Sequence, residues 1–167
     1  NPQLACTREK HPHTAMTQLP SPAFDGLYGD LILQHFRNPR NRRLVEDAQV
    51  EVEEFNPFCG DRVKLQIKLD AEGRVCELSA LSEGCSIIQA SASMMSDYLE
   101  GKSLDEIEAL AERFRQMMRG NSEDSADGLG DLEAFEVVRQ YPVRIKCALL
   151  PWTALEEGVQ EYRAKAS

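Results

Sequence analysis

The sequence has no apolar run approaching the roughly 18 residues that span a bilayer, and its start lacks the charged-then-apolar pattern of a secretory signal. The expectation is therefore a soluble, cytoplasmic protein with no membrane partner. A basic excess is missing too: 19 Lys and Arg face 28 Asp and Glu, for a formal net charge of -9. Binding to nucleic acid draws its affinity from a basic face and counterion release, so nucleic acid is excluded as a partner. No C-x-x-C pair occurs, and no internal repeat. The five cysteines are an odd, widely spaced set, unlike the framework of a short secreted disulfide scaffold. In a reducing compartment they are thiols, metal ligands or catalytic groups.

What is present fits one domain, since 167 residues can bury a core of their own. Residues 1–26 are rich in Pro, Thr, Ser and Gln without periodicity, and read as a disordered extension or a vector-derived leader. Cys6, His11 and His13 fall there and carry no assigned role. Residues 27–167 form the expected single domain. Leu27, Leu31, Ile32, Leu33 and Phe36 recur at helical spacing until Asn38-Pro39 stops them. His35 on that helix is a surface or packing residue. The basic run Arg37, Arg40, Arg42 and Arg43 is either a solvated helix end or a docking patch for an acidic partner.

Val50 and Val52, then Val63, Leu65, Ile67 and Leu69, alternate with charged and polar residues, which predicts half-buried strands. After the turn Asp70-Ala71-Glu72-Gly73, a third strand puts Cys76, Leu78 and Ala80 on one face, making Cys76 a core thiol. The period then changes. Ser86 with Gln89 has capping-box spacing ahead of a buried helix through Leu99, and Ser103 with Glu106 repeats that signal ahead of Leu104, Ile107, Leu110, Phe114 and Met117. An acidic loop spans Gly120 to Gly130, a short helix Leu132 to about Arg139, and a last helix carries Leu149, Trp152, Leu155, Val159 and Tyr162. Pro151 predicts that this helix either kinks or begins near Leu150, which would leave Cys147 in a loop. Strands followed by helices give an α+β fold, a small three-stranded antiparallel sheet with helices packed on one face.

Three short segments bring cysteines to element ends. In an extended stretch Cys59 and Asp61 would point the same way, while Gly60 lets the backbone turn. Cys85 starts a helix, where free N–H groups favour a thiolate poised as ligand or nucleophile. Cys147 has Arg144 and Lys146 beside it, and both cations would favour negative sulfur. Three thiolates and a carboxylate would complete a tetrahedral zinc site of net charge about -2, with the carboxylate the most exchangeable ligand. Spacing alone leaves open a second reading, that these are separate buried thiols.

Across about Leu27 to Tyr162 the chain resembles the SufU/IscU-type scaffold family. The stretches that carry the likeness are Asn56-Pro57-Phe58-Cys59-Gly60-Asp61, Gly84-Cys85-Ser86-Ile87, Ala90-Ser91-Ala92-Ser93-Met94-Met95, and Arg144-Ile145-Lys146-Cys147 followed by Trp152. Lys146, where IscU-type proteins carry His, and the acidic loop with its short helix between Met118 and Tyr141 resemble the SufU branch. The resemblance implies a role in iron-sulfur cluster assembly. It further implies zinc held by Cys59, Asp61, Cys85 and Cys147, and a sulfurtransferase-type acceptor, Cys59, taking persulfide sulfur from the cysteine desulfurase SufS. Arg144 would steady the freed thiolate. Downstream Suf assembly proteins are further expected partners. An alternative implied by the same family is a scaffold carrying a transient iron-sulfur cluster, and a third reading is a purely structural zinc domain. The N-terminal extension has no counterpart in the family.

Overall fold

A computed structural model describes residues 29–57, 60–120 and 129–166. Its elements run α1 (Gly29–Arg37), β1 (Val50–Asn56), β2 (Asp61–Leu69), β3 (Val75–Glu83), α2 (Ser86–Leu99), α3 (Leu104–Arg119), a 3₁₀ helix (Gly130–Gln140) and α4 (Pro142–Ala166). The predicted N-terminal extension, Cys59 and most of the acidic loop lie outside the described residues.

The strands pair in the order β1-β2-β3, antiparallel throughout, as alternation and the intervening turn require. Val50, Val52, Val63, Leu65, Ile67, Leu78 and Ala80 are buried on the face against α2 and α4. On the opposite face Arg62 reaches Glu53 and Lys64 reaches Glu51, exposed cross-strand pairs worth about 0–1 kcal/mol each. That face is not uniformly wet. The segment after α1 folds over it: the Val45 N–H donates to Gln66 Oε1 at 3.0 Å, and Gln49 exchanges two hydrogen bonds with the backbone of Leu69. Gln66 and Ser79 are buried as a result.

Cys76 departs from the alternation. Lys68 pairs with Glu77 but Leu69 with Val75, so Cys76 is the extra residue of a β-bulge. The bulge resets the phase, and Val75 takes the core position. Cys76 is half-buried and outside the core, with its sulfur 3.3 Å from the Lys68 carbonyl oxygen. The expected core thiol is thereby corrected.

The central helix α2 is buried on several sides, as its apolar run predicted. Its cap is different from the one expected: Cys85, in extended conformation, is the N-cap, and the Gln89 side chain donates back to the Gly84 carbonyl at 2.9 Å rather than closing a capping box. The box at α3 forms as read, with Ser103 and Glu106 satisfying each other's backbone N–H groups. Of the two expectations for the last helix, the one that continues through Pro151 holds, and the start near Leu150 does not. Pro142 occupies its first position, where a missing N–H costs nothing, and the helix runs through Pro151 to Ala166. Cys147 therefore sits in its second turn, not in a loop. Trp152 is fully buried and stacks on Phe114 at 4.6 Å, with Phe135 edge-on to Phe114 at 5.7 Å. Aromatic pairs of this kind add roughly 0.5–1.5 kcal/mol beyond their buried area.

Of the basic run, Arg37 lies in the last turn of α1, as the helix-end reading has it, while the other three arginines reach back onto the fold. Arg40 pairs with Asp97 of α2, Arg42 donates to the Ser82 carbonyl at 3.2 Å, and Arg43 lies 3.9 Å from Glu77. These cations strap the segment after α1 across β3 and α2. His35 is a packing residue, 3% exposed, its Nδ1 2.8 Å from Ser93 Oγ.

Candidate metal centre

Asp61 opens β2, Cys85 caps α2, and Cys147 lies one turn and a half into α4. Sheet and helices are arranged so that these three ends meet: one ligand atom from each lies within 4.8 Å of the others. Among the described residues this is the one such group of His, Cys, Asp or Glu. Asp61 is 2% exposed and Cys147 3%, while Cys85 is half-buried at the surface end.

The Asp61 carboxylate is held by backbone. The Cys85 N–H donates to its Oδ1 at 3.2 Å. Its other oxygen, Oδ2, is buried and has no hydrogen-bond partner. A buried carboxylate oxygen without a donor is costly, and a cation is the natural complement. Gly84 makes this geometry possible: its φ is +133°, and a Cβ there would lie 2.8 Å from Asp61 Cγ and 3.1 Å from its Cα. No other residue type lets the chain pass so close to the carboxylate.

Cys85 and Cys147 shift each other's acidity in opposite directions. The Cys85 pKa is lowered to about 6, first by the neighbouring Cys147 side chain; burial and the Asp61 charge oppose this, while the N–H groups of Ile88 and Ile87 assist. The Cys147 pKa is pushed up, first by Cys85, then by burial and by Asp61, and its thiol donates to the Val143 carbonyl at 3.7 Å. Without a metal, Cys147 thus keeps its proton. A metal taking all three donors must displace that proton.

The described residues on either side of positions 58 and 59, Pro57 and Gly60, are in turn conformation. Asn56 pairs with Asp61, the Gly60 N–H donates to the Asn56 carbonyl at 2.9 Å, and Gly60 has φ +75°. Cys59 itself is outside the described residues; in sequence it is two residues from Asp61. Arg144 is half-buried one turn before Cys147 on α4, and Lys146 is exposed. Gly84 was part of the sequence motif, but its steric role could not be read without knowing that Asp61 packs against it.

The sequence profile of the NifU-like N terminal domain matches residues 27–148. The chain belongs to the NifU-like N-terminal domain family. Among its relatives, this NifU-like domain is 44% identical over 135 residues to the zinc-dependent sulfurtransferase SufU of Bacillus subtilis (strain 168), covering 81% of the chain and 90% of that protein. It is 35% identical over 134 residues to the iron-sulfur cluster assembly scaffold protein IscU of Streptococcus pyogenes serotype M1, covering 80% of the chain and 83% of the relative. The crystal structure of an iron-sulfur cluster assembly scaffold protein proposed for the SUF system of Fervidobacterium islandicum AW-1 superposes with a TM-score of 0.75 at 30% identity, covering 81% of this chain and 98% of that one. The α+β architecture is that of the SufU and IscU scaffolds. No helix among the described residues is long and apolar enough to cross a membrane.

Proposed function

We propose that the protein is a zinc-bound sulfur acceptor of iron-sulfur cluster assembly, acting in the cytoplasm with a cysteine desulfurase of the SufS kind. The observation that carries this reading is the convergence of Asp61, Cys85 and Cys147 with Asp61 Oδ2 buried and unpaired, in a chain 44% identical to a zinc-dependent sulfurtransferase. The donor set fits zinc, which accepts thiolate and carboxylate ligands without a geometric demand of its own. Cys59 is the fourth ligand in this reading, and residues from 27 onward form the single working domain. When bound, zinc keeps the thiolates deprotonated and mutes their nucleophilicity.

The chemistry assigned to this chain is thiol-persulfide exchange. The Cys59 thiolate attacks the outer sulfur of the desulfurase persulfide; the S–S bond of the donor breaks, the donor cysteine leaves as thiolate, and Cys59 carries the persulfide away. In this reading Arg144 offsets the negative charge that accumulates when ligands are freed. Asp61 is the ligand most easily exchanged, while Cys85 and Cys147 hold the site together. Downstream Suf assembly proteins would receive the sulfur.

A second reading, a scaffold carrying a transient iron-sulfur cluster, is favoured by the likeness to scaffold proteins of the IscU kind. One experiment separates the two: metal analysis of protein purified without added iron, with a desulfurase assay on the same samples, for wild type and Cys59→Ser. Near-stoichiometric zinc with SufS stimulation that disappears in Cys59→Ser is the expected result. Iron, sulfide and a visible absorption band without stimulation would replace it with the scaffold reading.

A further inference from the structure

The distance between the sulfurs of Cys85 and Cys147 is set by how α2 and α4 lie against each other, because each helix carries one of them near its N-terminus. A direct polar bond joins the two helices beside the site. Ser91 Oγ donates to the Ala148 carbonyl at 2.6 Å, and both residues are fully buried. Ala148 is the residue next to Cys147. Ser91 lies six residues into α2 from Cys85, about 9 Å along the axis.

Two features make this bond more than packing. A serine in a helix interior is a poorer helix former than alanine, and a buried hydroxyl left without a partner is costly. Pro151, moreover, has no N–H for the Cys147 carbonyl, so α4 runs one internal hydrogen bond short where Cys147 and Ala148 sit. Ser91 supplies a donor from outside the helix at that point. The other buried serines of the same helix serve elsewhere: Ser93 accepts from the Arg40 N–H at 2.9 Å, and Ser96 accepts from Asn41 Nδ2 at 2.8 Å, both toward the strap after α1.

We propose that Ser91 is a positioning residue for the Cys85–Cys147 pair, its hydroxyl clamping to α2 the turn of α4 that Pro151 deprives of a hydrogen bond, so that the two sulfurs are held at ligand spacing. This rests on the reading that the two sulfurs act together as ligands.

The test compares Ser91→Ala with Ser96→Ala, which removes a buried hydroxyl of the same helix pointing away from the site. Zinc affinity is read by competition with a chromophoric chelator, and site geometry from the sulfur-to-metal charge-transfer band of the cobalt-substituted protein. Ser91→Ala is expected to lose about 10–100-fold in zinc affinity and to shift the band, as removal of supporting groups around ligands commonly does. Ser96→Ala should leave both unchanged, and Ser91→Thr, which restores the hydroxyl, should recover them. A metal-free readout stands beside these: with Cys6, Cys59 and Cys76 replaced by serine, the glutathione ratio at which Cys85 and Cys147 join as a disulfide should move to more oxidising conditions in Ser91→Ala. Equal effects of the two alanine variants, or none from Ser91→Ala, would overturn the proposal. If wild type binds no zinc, the zinc reading fails by itself and the glutathione midpoint decides the role of Ser91: a shift upholds it, no shift removes it.

Discussion

Two buried polar clusters flank α2, and they are built on opposite rules. At one, His35, Ser93, Ser96 and Asn41 satisfy one another, with the Arg40 backbone closing the set and the Arg40–Asp97 pair at its edge. At the other, Asp61 has an oxygen without a partner, one thiol leans on another sulfur, and a glycine in the left-handed half of conformational space holds the chain against the carboxylate. A polar network that is complete fixes a fold; one left incomplete in a buried place waits for something. The first anchors α1 and the segment after it, and the second faces the surface through Cys85.

That contrast breaks most severely at Gly84. Gly84→Ala would force a Cβ into Asp61 and impose a conformation that alanine resists at roughly 1–3 kcal/mol. Zinc retention after purification, measured by elemental analysis, should fall to background, and urea unfolding should show the stability loss. Zinc at wild-type stoichiometry would mean that Asp61 is not held through Gly84.

Asp61→Asn sharpens the same point from the other side. The amide oxygen can still accept from the Cys85 N–H, but the unpaired buried charge is gone. The metal-free protein should be as stable as wild type or more so, because an uncompensated buried charge is a burden. Zinc affinity should drop about 10–100-fold or further in chelator competition. A marked loss of metal-free stability would place Asp61 among the structural groups instead.

The smallest effect belongs to the complete cluster. Burial first, and Arg40 second, lower His35 from 6.5 to about 4. Its neighbours Asp97 and Asp131 oppose the shift. Between these values the unfolded chain binds a proton that the folded one refuses, so stability is full above pH 6.5 and is lost as pH falls toward 4. Going from pH 7 to pH 5 should cost about 2 kcal/mol in urea unfolding, and His35→Gln should flatten the slope. An unchanged slope in that variant would assign the acid sensitivity to other groups.

Where local chemistry decides structure, the residues announced it. The alternation from Val63 to Leu69 and the box of Ser103 with Glu106 became the strand and the cap they suggested. What escaped depends on distant partners. The bulge at Cys76 arises from how β3 pairs with β2, which no single strand records. The start of α4 was hidden because Val143 is exposed while Cys147 and Ala148 are buried, so no continuous apolar stripe marks it; Pro142 was the usable signal. At the site, the residue types and the family likeness nominated Asp61, Cys85 and Cys147 as neighbours, and the structure brings them within reach of one another. The unpaired oxygen and the need for glycine at position 84 exist only once the chain has folded.

The three groups come from a strand and two helices, separated along the chain by the β2–β3 hairpin and then by most of the helical half. An ion gripping all three would act as a reversible cross-link across two long polymer loops. Its release would lower the unfolding barrier of the entire domain, so giving up a ligand and loosening the tertiary structure are thermodynamically one event.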